Sequence, residues 1–462
     1  MNTSHQFFRA TIIAVLALAT GSYTLAGDQD IDVSSYSWYN IRPTVPSDQN
    51  MWAPRAGLQA VELRNDLYVM GGRGPFSFET ETRLFGDVWK SSDAGATWTR
   101  TAQWQPGQIE GQAPPKKSKG KKKSKGKSKG KKKSKGKSKG NGEGPQMWQP
   151  RAYFGSVTHR GRMFVIGGQN FETVPNPIFP SGCAVLPPEV PCLPFIPAST
   201  FFDDVWSSKD GATWRAEAID APWPGRAGLS AVVHKGAIYV FGGSQGDDAS
   251  TGGTGRILFD DVWKSRDGRN WEEVVAQGPK WAPRAGAAVV SKNGYLYVLG
   301  GERGFSCGFD PDSPCQPATS TLYYNDVWRS PDGATWEQVT ASAGWSPRPG
   351  HQCVVVLDQI VCFGGYGEIP GKPPIAANPM DVWTSKDGAT WTELMPPASP
   401  PWNAGSPAGI KYDFDAVVIS GGRRGLRPSI MTFGGDRERF GLSSDANAVR
   451  IDNDVWRLAP VE

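Results

Sequence analysis

Two short apolar runs separated by a two-residue turn recur along this chain, and each pair predicts a β-hairpin. Every copy ends in Gly-Gly, and midway through the fourth lies Asn293-Gly294, a pair typical of a type I′ hairpin turn. We name the two strands a and b. Five copies align without a gap, and they begin at Trp52, Trp148, Trp223, Trp281 and Trp345.

A second hairpin follows each Gly-Gly pair after a loop of variable length. Its first strand begins with Asp-Val-Trp and its turn contains an Asp-Gly-like sequence. We name its strands c and d. Four antiparallel strands with a period of about 50 residues predict one blade of a β-propeller. The second unit begins at Asp87, Asp204, Asp261, Asp326 and Asp381.

The sixth repeat is degenerate. Trp402 lacks the arginine that follows in the other copies, a strand ending at Gly435 supplies b, and Asp454 begins strand c, after which no strand d remains. Residues 37–41, near the other end of the chain, have the sequence of a strand d. Pairing of this segment with the last blade would close the ring and remove exposed sheet edges. The sequence therefore predicts an all-β, six-bladed propeller that is closed by an N-terminal strand.

The apolar strand that ends in Gly-Gly, followed by a loop and two spaced tryptophans, resembles the kelch repeat. The resemblance covers about residues 38–458 and implies a kelch-type propeller of the galactose-oxidase-like superfamily. The stretch SSDAGATW from Ser91 also resembles the Asp-box turn of sialidases, which is a structural turn.

Resemblance to galactose oxidase, an enzyme that contains kelch repeats, would imply a copper site with two histidines, two tyrosines and a cysteine crosslinked to one tyrosine. This chain departs from that pattern. Its histidines beyond the N-terminal segment are His159, His234 and His351. Two of them flank a-to-b turns, so we expect surface residues beside turns rather than metal ligands. We predict no metal and no cofactor, and leave open only a calcium or acid/base role for loop carboxylates, at Glu302, Glu368, Asp310 and Asp312.

Two segments lie outside the repeats. Arg9, an apolar run over 11–19 and the small-residue exit 24–26 predict a signal peptide over 1–26, hence a secreted or periplasmic protein with no transmembrane segment. Residues 116–139 contain fifteen lysines, and removing their charge takes the formal net charge from +5 to −10. We predict a disordered insertion at about 112–144 within one propeller domain, 27–462.

The lysine-rich insertion has two interpretations. It binds polyanions through counterion release, or it is a tolerated low-complexity expansion. In the first interpretation the binding residues are Lys116, Lys117, Lys121, Lys122, Lys123, Lys131, Lys132 and Lys133.

Six cysteines in an exported chain suggest disulfides. Cys183 with Cys192, and Cys307 with Cys315, would each close a b-to-c loop. With the turn at Leu357-Asp358, Cys353 and Cys362 face each other across strands a and b, and a cross-strand disulfide is feasible there. The alternative for this third pair is two small buried residues.

Strand order places the b-to-c loops and d-to-a crossovers on one face, here called the loop face, where binding residues are expected to gather. An arginine begins strand a in five repeats, and further arginines follow Gly-Gly. These guanidinium groups and Glu302 are candidates for binding an anionic ligand. Alternatively, the repeated arginines bond loop carbonyls, and the aspartates of Asp-Val-Trp accept hydrogen bonds at strand starts. The arginine candidates are Arg55, Arg151, Arg226, Arg284, Arg348, Arg73, Arg303 and Arg437.

Three hypotheses for function follow. The first is a non-catalytic binding protein, expected to be a monomer, which recognises a glycan, another anionic ligand or a protein through its loop face. The second is a sugar-modifying enzyme that is similar to the periplasmic kelch proteins that interconvert anomers of sialic acid. The third is a surface or matrix component retained by its polybasic segment.

Overall fold

The computed structural model describes residues 32–45, 50–75, 83–106, 147–175, 195–246, 256–303, 323–366, 381–394, 411–420, 427–437 and 451–461. Several predictions concern residues outside these ranges and stay predictions. They are the signal peptide, the lysine-rich insertion, the pairings of Cys183 with Cys192 and of Cys307 with Cys315, and the roles of Glu368, Asp310 and Asp312.

Six four-stranded antiparallel sheets form the blades of a β-propeller, which confirms the predicted fold class. Blade 1 consists of β2 (Gln59–Leu63), β3 (Asp66–Met70), β4 (Asp87–Ser91) and β5 (Thr99–Gln103). Blade 2 consists of β6 (Gly155–His159), β7 (Arg162–Ile166), β10 (Val205–Ser208) and β11 (Trp214–Ala218). Blade 3 consists of β12 (Ser230–His234), β13 (Ala237–Phe241), β16 (Val262–Ser265) and β17 (Trp271–Glu273).

Blades 4 to 6 complete the ring. Blade 4 consists of β18 (Ala288–Lys292), β19 (Tyr295–Glu302), β20 (Tyr323–Ser330) and β21 (Glu337–Thr340). Blade 5 consists of β22 (Gln352–Val356), β23 (Gln359–Phe363), β24 (Val382–Ser385) and β25 (Thr392–Leu394). Blade 6 consists of β26 (Asp415–Ile419), β27 (Ser429–Asp436), β28 (Ile451–Pro460) and β1 (Tyr36–Arg42). A 3-10 turn, Val33–Ser35, precedes β1.

Closure of the ring occurs as the sequence predicted. Strand β1 pairs antiparallel with β28 and so provides the outer strand of blade 6. The innermost strands β2, β6, β12, β18, β22 and β26 each contact the two neighbouring innermost strands, and β26 contacts β2. The six sheets therefore surround one axis without a gap.

Short ribbons continue some blades above the loop face. In blade 2, β8 (Gln169–Pro175) pairs with β9 (Phe195–Phe201), and in blade 3, β14 (Ser244–Gln245) pairs with β15 (Ile257–Leu258). Strands β19 and β20 extend in the same way in blade 4. These ribbons begin the b-to-c loops, so they rise around the axis on the face where the sequence placed the variable loops.

The a-to-b turns have the geometry that their sequences predict. Asn293 and Gly294 have φ values of 48° and 79°, and Leu357 and Asp358 have 48° and 56°. Positive φ at both central residues defines the type I′ turn, whose twist matches that of the flanking strands.

Apolar residues form six clusters, one between each pair of neighbouring blades. At five of these interfaces the tryptophan before strand a packs edge-to-face on the tryptophan of the c-to-d turn in its own repeat. The pairs are Trp52–Trp98, Trp148–Trp214, Trp223–Trp271, Trp281–Trp336 and Trp345–Trp391. Such edge-to-face pairs add to the stabilisation that burial alone provides.

The cross-strand disulfide between Cys353 and Cys362 is present, with a Cα–Cα distance of 4.1 Å. The two residues are direct partners in the pairing of β22 with β23. Among the residues that the structure describes, no helix is long and apolar enough to span a membrane.

Replacing this disulfide with the pair that blade 3 carries at the same place should lower stability moderately. The change is Cys353→Ala with Cys362→Val, which copies Ala231 opposite Val240. Loss of a covalent link over a separation of nine residues should cost about 2–3 kcal/mol and lower the melting temperature by about 5 °C. Differential scanning calorimetry measures the shift, and an unchanged melting temperature would contradict the expectation.

Candidate functional site

The five repeated arginines form buried ion pairs within their own repeats. In blade 1 Arg55 donates from Nη1 and Nη2 to the two carboxylate oxygens of Asp87, at 2.6 and 3.1 Å. Its Nη1 also donates to the Gly71 carbonyl at 2.9 Å, and its Nε to the Ala53 carbonyl at 3.0 Å. Arg151, Arg226, Arg284 and Arg348 make the matching pairs with Asp204, Asp261, Asp326 and Asp381.

The same guanidinium groups are also covered by aromatic rings. The Arg55 carbon Cζ lies 3.9 Å from the ring centre of Phe85, and Arg151 lies 3.8 Å from that of Phe202. Burial alone would raise the pKa of Asp87, but the Arg55 charge and the hydrogen bonds from Arg55 and Trp89 hold it below the ordinary value. All five arginines are at most 2% exposed.

This arrangement corresponds to the structural alternative, and we propose no ligand-binding role for these five arginines. Their donors join strand a to the start of strand c, where the aspartate also accepts from the indole of the tryptophan two residues on. The signal available in the sequence was the joint presence of the arginine and the aspartate in all five regular repeats.

Blade 6 has a lysine where the other blades have this arginine, which the sequence did not reveal. Lys411 Nζ lies 2.5 Å from the carboxylate of Asp454, the aspartate that begins the last Asp-Val-Trp unit. The Lys411 carbonyl accepts from Gly365 N–H, as the arginine carbonyls accept from the second glycine of the preceding blade. Every blade therefore has a cation paired with the aspartate that begins strand c, and in blade 6 this cation is a lysine instead of an arginine.

A closed ring of six backbone hydrogen bonds encircles the axis on the loop-face side of strand a. Each N–H donates to the carbonyl of the equivalent residue in the preceding blade, over 2.8–3.3 Å. All six residues have positive φ, between 51° and 64°. We call them the inner ring: Gly57, Tyr153, Gly228, Gly286, Gly350 and Asp413.

Directly beside the inner ring, each blade contributes the residue that follows its Gly-Gly pair. These residues are held by backbone hydrogen bonds to the residue before each inner-ring position. Their side chains differ from blade to blade, whereas the surrounding repeat is regular. We call them the axial ring: Arg73, Gln169, Ser244, Glu302, Tyr366 and Asp436.

A hydrogen-bonded chain joins the two rings. Arg73 Nε donates to the Tyr153 hydroxyl at 2.8 Å, and its Nη2 forms an ion pair with Asp436. The Tyr153 hydroxyl also hydrogen bonds the carboxyl group of Asp413. Tyr153 and Asp413 are half-buried and are the two inner-ring residues that are not glycine. Both therefore adopt a left-handed backbone conformation that is unfavourable for residues with a Cβ, a form of strain that clusters at functional sites.

Electrostatics at this point favour a carboxyl group that keeps its proton. Burial raises the pKa of Asp413 to about 7, and the negative charge of Asp436 adds to the rise, while Arg73 and the Tyr153 hydroxyl oppose it. Burial also raises the pKa of Tyr153 well above its ordinary value. Asp413 thus titrates near neutral pH at the centre of the loop face, where it can donate or accept a hydrogen bond.

The remaining predicted residues on this face are paired or exposed. Glu302 forms an ion pair with Arg256, which also donates to Ser244. Arg437 pairs with Asp452. Arg303 is exposed at the end of the blade 4 ribbon. The structure therefore brings Arg73 and Glu302 to the axial ring, and places Arg437 and Arg303 outside it.

The histidine prediction needs correction, because these side chains are buried rather than on the surface. His159 is 7% exposed and His234 2%. His159 Nε2 lies 3.1 Å from the Arg266 carbonyl, and His234 Nε2 lies 3.1 Å from the Pro331 carbonyl. The rings reach into the c-to-d turn of the next blade, which covers them. Within the described ranges no group of three or more His, Cys, Asp or Glu residues could hold a metal ion.

A second buried carboxyl group, Asp415, allows a test of pH dependence. It begins β26, accepts from the N–H of Ala60 in blade 1 at 2.5 Å and of Ala416 at 2.8 Å. Burial raises its pKa to about 7 against these two hydrogen bonds. The folded chain then holds a proton that the unfolded chain releases near pH 4, so the stability from this group decreases as the pH rises from about 4 to 7.

We expect Asp415→Asn to flatten the decrease of melting temperature between pH 5 and pH 7, because the amide does not titrate. A residual slope should remain, since Asp413 titrates over the same range. Melting temperatures across this range measure the effect, with the exposed Asp220→Asn as the control. Parallel curves for the Asp415 variant and the unchanged chain would contradict the expectation.

Comparison with known proteins agrees with this geometry. A model of the KLHDC2/KLHL20/DRC7 Kelch-repeats domain matches residues 198–365, and a Kelch motif model matches residues 150–178. Kelch domain-containing protein 1 of Homo sapiens is 27% identical over 147 residues, which are 31% of this chain and 32% of that protein. The Mus musculus protein of the same name is 29% identical over 148 residues, again 31% and 32%. The match thus spans about a third of each relative.

A solved structure described as "Structure of YjhT" aligns over 90% of this chain and 96% of its own, with a TM-score of 0.50 and 15% identity. At that identity the likeness concerns the fold alone. The kelch motifs in the sequence, the similarity to kelch-domain proteins and the six four-stranded blades together support placing this chain among the kelch-repeat β-propellers.

Proposed function

We propose that this protein is a non-catalytic binding protein that recognises its ligand at the centre of the loop face. One observation carries the proposal. The repeated residues of each blade are used in contacts within the scaffold, whereas the six axial-ring positions, held in equivalent backbone sites, carry six different side chains. Variation at the axis of an otherwise regular scaffold is the pattern expected where binding specificity resides.

The proposal extends to the location of the protein. The signal-peptide sequence supports export to the periplasm or the extracellular space, and the lysine-rich insertion supports retention on an anionic surface or a matrix. Deleting residues 116–139 should then release the protein from cells at moderate salt. Retention of the deletion variant at the level of the full chain would count against this part of the proposal.

Binding and its location can be tested together. The intact chain is applied to an array of neutral, uronic-acid, sialylated and sulfated glycans, and any hit is measured by calorimetry. Two arginines exposed at opposite faces provide matched variants, Arg303→Glu beside the axial ring and Arg160→Glu in the a-to-b turn of blade 2. Weaker binding by the first variant alone supports the loop face. Weaker binding by the second alone would overturn it.

A second candidate is an enzyme that modifies a sugar, and Asp413 is the observation that favours it. A carboxyl group with a pKa of about 7, hydrogen bonded to Tyr153, is suited to transfer protons near neutral pH. NMR exchange spectroscopy on the anomers of sialic acid would detect such activity. Exchange that is faster with the intact chain than with Asp413→Asn would favour the enzyme over the binding protein.

A further inference from the structure

We propose that the axial ring takes an uncharged, hydroxyl-rich ligand, such as the end group of a neutral glycan, through the Gln169 amide and the Tyr153–Asp413 pair. The inference rests on the proposed function and names the chemical class of its ligand. It differs from the anionic ligand that the arginine content of the sequence suggested.

The charged axial-ring residues are paired within the described part of the protein. Arg73 pairs with Asp436, and Arg256 pairs with Glu302. An anionic ligand at the axis would have to displace or face one of these carboxylates, which costs free energy because each belongs to a desolvated pair. A neutral ligand can bond to the same groups without breaking the pairs.

Gln169 supplies a donor that no group in the described part of the chain uses. The residue is 1% exposed, and its Nε2 has no hydrogen-bond partner among the described residues. Backbone hydrogen bonds join Gln169 to Ala152, the residue before Tyr153, so the Gln169 backbone lies beside the strained part of the inner ring. A buried amide without a partner is costly and calls for an explanation, and a ligand hydroxyl or carbonyl oxygen would satisfy it.

The inner ring gives Tyr153 and Asp413 room to lie at the axis. A Cβ at Gly57 would come within 2.9 Å of the Tyr153 ring, and one at Gly350 within 2.8 Å of Asp413 Oδ1. The neighbouring glycines are therefore required by these two side chains. Arg73 donates to the Tyr153 hydroxyl, and the hydroxyl hydrogen bonds the Asp413 carboxyl group. A hydroxyl and a protonated carboxyl group each donate and accept, as ligand hydroxyls do.

Three tyrosines from blades 4, 5 and 6 pack together beside the axial ring, and two of them, Tyr323 and Tyr412, are buried. Tyr366, a half-buried axial-ring residue, packs edge-to-face on Tyr412 at 5.4 Å and on Tyr323 at 6.2 Å between ring centres. Sites for uncharged polar ligands combine apolar and aromatic walls with a few placed polar groups. The axis of this propeller has both.

The test compares Gln169→Leu with the intact chain. Calorimetry is done with neutral hexasaccharides of glucose, mannose, xylose and N-acetylglucosamine, and with oligogalacturonate and a sulfated oligosaccharide as charged probes. We expect a neutral sugar to bind with an affinity that changes little between about 0.05 and 0.5 M NaCl. Gln169→Leu should weaken that binding about tenfold. Its melting temperature should stay the same or rise, because the variant removes an unsatisfied amide.

Each outcome decides one claim. Binding of charged probes alone, no binding of any neutral probe, or neutral binding that Gln169→Leu leaves unchanged would overturn the ligand class. If a charged probe binds and Arg303→Glu weakens it, the proposed function stands while this inference fails. If the binding depends on Arg160 instead, both fail.

Discussion

Arg226→Met should lower the melting temperature by about 5–10 °C. The change leaves Asp261 without its cation in a partly buried site, where it keeps the hydrogen bond from Trp263. Breaking one side of such a pair costs about 3–5 kcal/mol, since the remaining charge is uncompensated. Each kcal/mol shifts the melting temperature of a large domain by about 2 °C.

Three companion variants separate the ion pair from other effects of losing Arg226. Arg226→Lys, which copies the lysine of blade 6, should be intermediate because it keeps the charge and loses the forked hydrogen bonds. Adding Asp261→Asn to Arg226→Met should recover part of the loss. The exposed Arg303→Met should change little. Equal losses for Arg226→Met with and without Asp261→Asn would show that the pair is not the cause.

Regular parts of the fold were readable from the sequence because each is repeated. Five aligned copies reveal the strands, their turns and their order, and the cysteine pair at 353 and 362 follows from a register that the turn sets. The closing strand was predictable for the same reason, because the sixth repeat lacks a strand d and residues 37–41 have the sequence of one. Turn sequences and the alternation of side chains along a strand depend on residues that are close in sequence, so they can be predicted without knowing which distant residues are in contact.

The candidate site was less accessible to sequence reasoning because its groups come from different blades. Arg73 and Tyr153 are neighbours only after blades 1 and 2 pack together, and Asp413 joins them only when blade 6 closes the ring. Tyr153 and Asp413 did carry a signal, since both replace a glycine of the repeat. No pattern in the sequence indicated that Asp436, 363 residues away, would neutralise Arg73.

The largest effect should come from removing the strand that closes the ring. A chain that begins at residue 43 lacks both the 3-10 turn and β1, so strand β28 loses its outer partner. Val33 and Tyr36, which are fully buried, would be missing from the cluster between blades 5 and 6. Each large apolar side chain contributes about 1.5–3 kcal/mol through burial, and the open edge of β28 invites association between chains.

We therefore expect this chain to melt at least about 10 °C below one that begins at residue 32, or to aggregate. Size-exclusion chromatography and calorimetry of the two chains measure both results.

Two tyrosines of β1 provide a matched pair, since Tyr36 is fully buried and donates to the Pro428 carbonyl, while Tyr39 is 37% exposed. Tyr36→Ala should reproduce part of the loss and Tyr39→Ala little of it. A synthetic peptide of residues 32–42 should restore the melting temperature of the shortened chain, because this segment binds through the backbone pairing of β1 and the buried side chains of Val33 and Tyr36. If the shortened chain stays monomeric and melts like the longer one, blade 6 is stable with three strands, and closure by β1 does not hold the ring together.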